Sequence, residues 1–132
     1  MRTNAARQTK PRRPRHLKVM TDAIDDQGRY DAVKIAELLD WSRQEIATYL
    51  DRDPSAISRN GASLSFQQPL SQLVATFSNL LALLDDDIKT ARAWLRTPIK
   101  VLDGKSPKEK ILRGELKAVD SIISEVESGF SA

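Results

Sequence analysis

At 132 residues and 40% apolar content, the chain has the length of one globular domain with room for a tail. It has no cysteine, which excludes disulfides and thiolate metal sites and fits a reducing compartment. The apolar run Leu80–Leu84 is too short to cross a bilayer, and the basic N-terminus lacks the apolar stretch of a signal peptide, so a soluble cytoplasmic protein is expected.

The formal net charge of +3 is unevenly spread: residues 1–18 carry seven cations and no acid, +7, which leaves −4 on the rest. A basic arm on an acidic body suggests that the arm meets a polyanion, the plainer reading being a solubilising tail. With Pro11 and Pro14 among its charges, the segment 1–16 is expected to be a flexible arm. A short helix is predicted from Leu17 to about Ile24, then a loop over Asp25–Tyr30 around Gly28. Val33, Ile35, Ala36, Leu38 and Leu39 mark a helix that ends near Asp40.

Trp41-Ser42-Arg43-Gln44-Glu45-Ile46 is a helix start with two reinforcing signals. Ser42 and Glu45 have the spacing of a capping box, and Trp41 and Ile46 that of a hydrophobic staple. This helix is predicted over 42–50, and Asp53 and Pro54 cap and open the next, over 54–60. Gly61–Phe66 reads as a loop. A longer helix follows from about Gln67 to Leu84. Its Leu70, Phe77 and Leu84 are seven apart, a spacing that fits a seam between two copies or simply a buried core helix.

Asp86–Leu95 is predicted as a helix closed before Pro98, with Asp85, Asp86 and Asp87 as its acidic first turn. The chain turns at Asp103-Gly104 and restarts at a second capping box, Ser106 with Glu109, with Pro107 at the first helical position. Gly114 ends that helix. The last one runs from Glu115 to about Ser128, with Leu116, Val119, Ile122, Ile123 and Val126 on one face and Gly129 after its end. No stretch alternates with period two, so the fold class is all-α.

The helices at 42–50 and 54–60 have the dimensions of a helix-turn-helix, the alternative being an ordinary structural hairpin. In a helix-turn-helix, Ser55, Ser58, Arg59 and Asn60 would reach DNA bases from the second helix, with Arg43 and Gln44 at the start of the first. Arg12, Arg13 and Arg15 suit phosphates or a minor groove. The turn carries Asp51-Arg52 where many such motifs have glycine and an apolar residue.

Enzymatic chemistry has little support. The single histidine, His16, lies in the arm, three consecutive aspartates point different ways on a helix, and "DGK" lacks the spacing of a phosphate loop. Trp94 reads as a core anchor. No catalytic, cofactor or metal site is expected.

Trp94-Leu95, Pro98, Leu102, Gly104, Ser106-Pro107, Leu112 and Gly114-Glu115 follow one another in the order of a known pattern. Residues 91–129 resemble the toxin-binding domain of the Xre/MbcA/ParS-type antitoxins, and residues 30–84 agree in layout with their Xre-like helix-turn-helix and linking helix. Ile99 stands where that family commonly has asparagine.

The resemblance implies an Xre-like helix-turn-helix domain over 17–66, a linking and dimerisation helix over 67–84 carrying Leu70, Phe77 and Leu84, and a toxin-binding domain over 85–132. It implies a homodimeric type II antitoxin that blocks the active site of a RES-domain toxin, an enzyme that consumes NAD or ADP-ribosylates a target. The operator DNA of its own operon is the second implied partner. Toxin contact is expected from Ile122, Glu125, Val126, Glu127, Ser128, Gly129, Phe130, Ser131 and Ala132, while Leu116, Val119 and Ile123 serve this chain's own core. The alternatives are a stand-alone helix-turn-helix regulator whose C-terminal domain only dimerises, and an interaction protein that never binds DNA.

Overall fold

A computed structural model describes residues 21–129; the arm, with Arg12, Arg13, Arg15 and His16, lies outside the described residues, as do most of the helix expected from Leu17 and the tail Phe130, Ser131 and Ala132. Among the described residues are α-helices α1 (Ala32–Leu39), α2 (Arg43–Leu50), α3 (Pro54–Arg59), α4 (Gln67–Leu83), α5 (Ile88–Arg96), α6 (Pro107–Leu112) and α7 (Leu116–Glu127). Single 3-10 turns at Leu64–Phe66 and Lys100–Leu102 precede α4 and α6, and there is no strand among these residues, so the chain is all-α. No helix among them is long and apolar enough to cross a membrane.

The helix starts follow from side chains that accept the free N–H groups of a first turn. Asp31 caps α1, its carboxylate accepting from Val33 N at 2.8 Å and Lys34 N at 3.3 Å. Both capping boxes form. Ser42 Oγ accepts from Glu45 N at 3.0 Å while Glu45 accepts from Ser42 N at 2.8 Å, and Ser106 and Glu109 do the same at 3.1 and 3.2 Å. Trp41 and Ile46 are both buried in the core, as a staple requires.

The helix ends hold a surprise. Asp40, Asp51, Asp85, Asp86 and Asp103 all have positive φ, between 54° and 63°, where glycine or asparagine is the easier residue. At Asp40 and Asp51 the backbone closes as a Schellman motif, with Trp41 N donating to Ala36 O at 2.8 Å and Arg52 N to Ala47 O at 2.9 Å.

Four expectations need correction. Ile24 is not helical; it pairs with Tyr30 in an isolated antiparallel bridge that closes the 25–30 turn. Asp53 stands at the cap position of α3, but its side chain makes no capping hydrogen bond, and Pro54 alone sets that start. Asp85, Asp86 and Asp87 are not a first helical turn. The first two make the left-handed turn after α4, and Asp87 caps α5 by accepting from Thr90 N at 3.2 Å. Trp94 is half-buried at the rim of the core rather than anchored inside it.

One hydrophobic cluster runs from Ala23 to Ile123 and takes residues from all three segments expected after the arm. Helix α4 packs against α1, α5 and α7, α2 packs against α1, α3 and α6, and α6 in turn lies on α5 and α7. Polar ties reinforce this. Gln67 donates to Tyr30 O and Ser63 O and accepts from Tyr30 N, and Arg92 Nε donates to Leu38 O at 2.9 Å. At Gly61 a Cβ would stand 3.0 Å from Asp31 Oδ1 and 3.2 Å from Ile57 O, so a side chain there would crowd the Asp31 cap and the end of α3.

Candidate nucleic-acid interface and partner-binding helix end

Helices α2 and α3 are joined by Asp51, Arg52 and Asp53, and their inner faces are sealed by Ile46, Ala47, Leu50 and Ile57. The outward residues are polar: Arg43, Gln44, Ser55, Ser58, Arg59 and Asn60 are all exposed. Two of them touch across the helices, Arg43 Nη1 donating to Ser58 Oγ at 2.9 Å. Gln44 instead turns along its own helix to Thr48, at 3.4 Å.

The turn between the two helices is closed by its own residues. Asp51, with φ 57°, supplies the left-handed residue that glycine otherwise provides. Arg52 lays its guanidinium over the Phe66 ring, 5.8 Å from the centroid, and donates to the Leu50 and Asp51 carbonyls. The exposed Arg52 thus lays a cation over the buried Phe66 ring.

Glu45 ties this unit to the C-terminal segment. One carboxylate oxygen closes the α2 capping box and the other pairs with the Lys108 ammonium of α6, which itself lies 6.0 Å from the Trp41 ring centroid. Burial pushes the Glu45 carboxyl up, but Lys108 and the Ser42 N–H and hydroxyl outweigh it and hold the pKa below the ordinary 4.5.

No protein-family model, curated protein or solved structure matches the chain. Its geometry and the resemblance in residues 91–129 are therefore the grounds on which a function can be assigned.

The joint into α7 is fixed by Gly114, with φ 85°, and by Glu115, whose N–H donates to Lys110 O at 2.9 Å and whose carboxylate pairs with the Lys110 ammonium at 2.7 Å. That ammonium holds the Glu115 carboxyl below its ordinary pKa. Val119 and Ile123 bury α7 against α4, and Thr76 Oγ1 donates to Asp120 Oδ1 across the same contact at 3.2 Å. Ile123 is the last buried residue among those described: Glu125, Glu127, Ser128 and Gly129 are exposed, and Val126 is 40% exposed. Ile122 is half-buried. The outer turns of α7 therefore present one apolar side chain among acids, backed by a fixed base.

The expected dimer seam is corrected. Leu70 is fully buried, Phe77 is 3% exposed and Leu84 is half-buried, all against this chain's own core, so the seven-residue spacing belongs to a core helix. The solvent face of α4 is instead Gln68, Gln72, Ala75, Asn79 and Ala82. Residues that sequence reasoning missed include Asp31, Gln67 and Lys108. Asp31 had a local signal, an acid before an apolar-periodic run, whereas the partners of Gln67 and Lys108 are remote in the chain.

Proposed function

We propose that this chain is the antitoxin of a type II toxin–antitoxin pair. It neutralises a RES-domain toxin, a NAD-consuming or ADP-ribosylating enzyme, by seating the end of α7 in the toxin's active-site cleft. The observation that carries this reading is the exposed end of α7 beyond Ile123, where Val126 stands among Glu125, Glu127 and Ser128. An amphipathic helix end needs few apolar anchors to fill a groove, provided its polar neighbours are satisfied there. The resemblance of residues 91–129 to the toxin-binding domain of Xre/MbcA/ParS-type antitoxins supports the choice of partner.

In the same reading, α2 and α3 form the DNA-binding helix-turn-helix of an autorepressor, and the protein acts as a homodimer through a surface other than Leu70 and Phe77. The exposed polar set on α2 and α3 supports the DNA-binding part.

The test is induction of the product of the gene beside this one, with growth and cellular NAD followed with and without this chain. Full-length protein is expected to restore both. Deletion of residues 125–132 is expected to abolish rescue while leaving the thermal melt intact, because no residue after Ile123 is buried among those described. Full protection by the truncated chain overturns the plug.

A further inference from the structure

The Arg43–Ser58 contact divides the candidate DNA-facing residues into two jobs, and this inference rests on the DNA-binding part of the proposed function. Arg43 is the first residue of α2, immediately after the Ser42 cap. Its guanidinium crosses to α3 and donates to Ser58 Oγ at 2.9 Å, with both side chains exposed. No acid among the described residues pairs with it: the nearby Glu45 carboxylate is engaged by Ser42 N and Lys108. A neutral hydroxyl fixes the guanidinium without neutralising it and uses one of five N–H donors. The charge and most of the donor fork remain available.

Arg59 on α3 has no such restraint among the described residues and is exposed, as are Ser55 and Asn60. When the second helix of such a pair enters a major groove, the first helix crosses the phosphate backbone, and its leading end lies beside a strand. Arg43 occupies that leading end. Arginine held in a fixed fork is suited to bidentate phosphate contact.

We infer that Arg43, held by Ser58, is a phosphate clamp that sets the register of α3 on DNA, and that Ser58 is a positioning residue rather than a base reader. Direct base contact then falls to Ser55, Arg59 and Asn60. The clamp carries no sequence information; its contribution is electrostatic and uniform across sites.

The experiment uses the full chain and duplexes tiling the DNA upstream of its own coding sequence, with a scrambled duplex as reference. Binding is followed by fluorescence anisotropy over a salt series and over single-base-pair substitutions of the bound site. Arg43→Gln is expected to weaken all sites by the same factor and to make the slope of log K against log salt shallower by about 0.9, one phosphate's worth. Ser58→Ala is expected to weaken binding about threefold to tenfold, the value of one hydrogen bond, at an unchanged salt slope, and Ser58→Thr to restore it. A thermal melt of each variant separates these effects from unfolding.

Relaxed discrimination at one base pair in Arg43→Gln, with the slope unchanged, overturns the clamp and makes Arg43 a reader. Unchanged affinity in Ser58→Ala overturns the positioning role. If wild type prefers no upstream duplex over the scrambled one, the DNA-binding reading itself fails, and the clamp with it.

Discussion

Glu45 performs two jobs that substitution can separate. One oxygen accepts the Ser42 N–H as the return half of the capping box, and the other pairs with Lys108, whose side chain is 18% exposed against 30% for Glu45. The return half of such a box contributes about 0.5–1 kcal/mol. The ion pair is neither fully solvated nor buried, so its removal falls between the exposed and interior limits, about 1 kcal/mol. Glu45→Ala loses both, about 2 kcal/mol, which lowers the melting midpoint by roughly 8 °C. Glu45→Gln keeps an acceptor for Ser42 N and loses only the charge, about 1 kcal/mol. Lys108→Met keeps an apolar stem against Trp41 and loses the same pairing.

The double variant Glu45→Gln/Lys108→Met is therefore expected to be non-additive, with a coupling of about 1 kcal/mol in a urea-denaturation cycle at neutral pH. The sign of its pH dependence follows from the lowered pKa. A carboxyl held below its ordinary 4.5 in the folded chain contributes stability above that value and loses it as pH falls through the folded pKa. The coupling is thus present at neutral pH and disappears in acid. A coupling under about 0.3 kcal/mol at neutral pH, within the usual additivity of independent sites, refutes the joint between α2 and α6.

Asp51→Gly relieves a left-handed residue at φ 57° and takes an acid from the negative end of α2, and should raise stability by about 0.5–1 kcal/mol in denaturant melts. Ile123→Ala empties a fully buried position under α7 and should cost about 3 kcal/mol by the same measurement. The Tyr49 hydroxyl donates to Pro69 O at 2.6 Å, and burial pushes its pKa up to about 12, so phenolate absorbance should develop late for this residue. Because the folded pKa lies above the ordinary 10, its stabilisation is full below pH 10 and lost as pH rises through about 12, a loss that Tyr49→Phe should remove.

What sequence made legible was local. The two capping boxes and Pro54 and Pro107 at the helix starts act within four residues, and each stands where its spacing indicates. The helix ends near Asp40 and Leu50 also stand where expected, but the left-handed conformation of Asp40 and Asp51 was not legible, because glycine is the usual mark of a left-handed residue and aspartate the usual mark of a helix start. At Asp85–Asp87 that preference misled: only the third residue caps a helix, and the first two turn the chain. The seven-residue spacing of Leu70, Phe77 and Leu84 was ambiguous in principle, since a core helix and a two-copy seam share it. Burial decides that case, and burial is a property of the whole fold. The same limit applies to the candidate DNA-facing surface. Its residue types were legible, but the Arg43–Ser58 contact depends on how α2 crosses α3.

The break between α5 and α6 illustrates why those remote contacts matter. Thr97 and Pro98 end α5, and Ile99 and Lys105 then pair across a tight turn closed by Asp103 and Gly104, with Leu102 buried beneath it. A continuous helix through this region would rise about 1.5 Å per residue without reversing. The turn instead reverses the chain, so that Ile111 and Pro107 enter the core and Lys108 reaches Glu45. Arg92 and α5 then cover the end of α1 through the Leu38 carbonyl. The break thus fastens the C-terminal segment to the α1–α2 corner, and the next joint, at Gly114 and Glu115, sets where α7 points. Aiming the last helix and unifying the core are consequences of two different turns, which is why the inner half of α7 can be buried while its outer turns stay exposed.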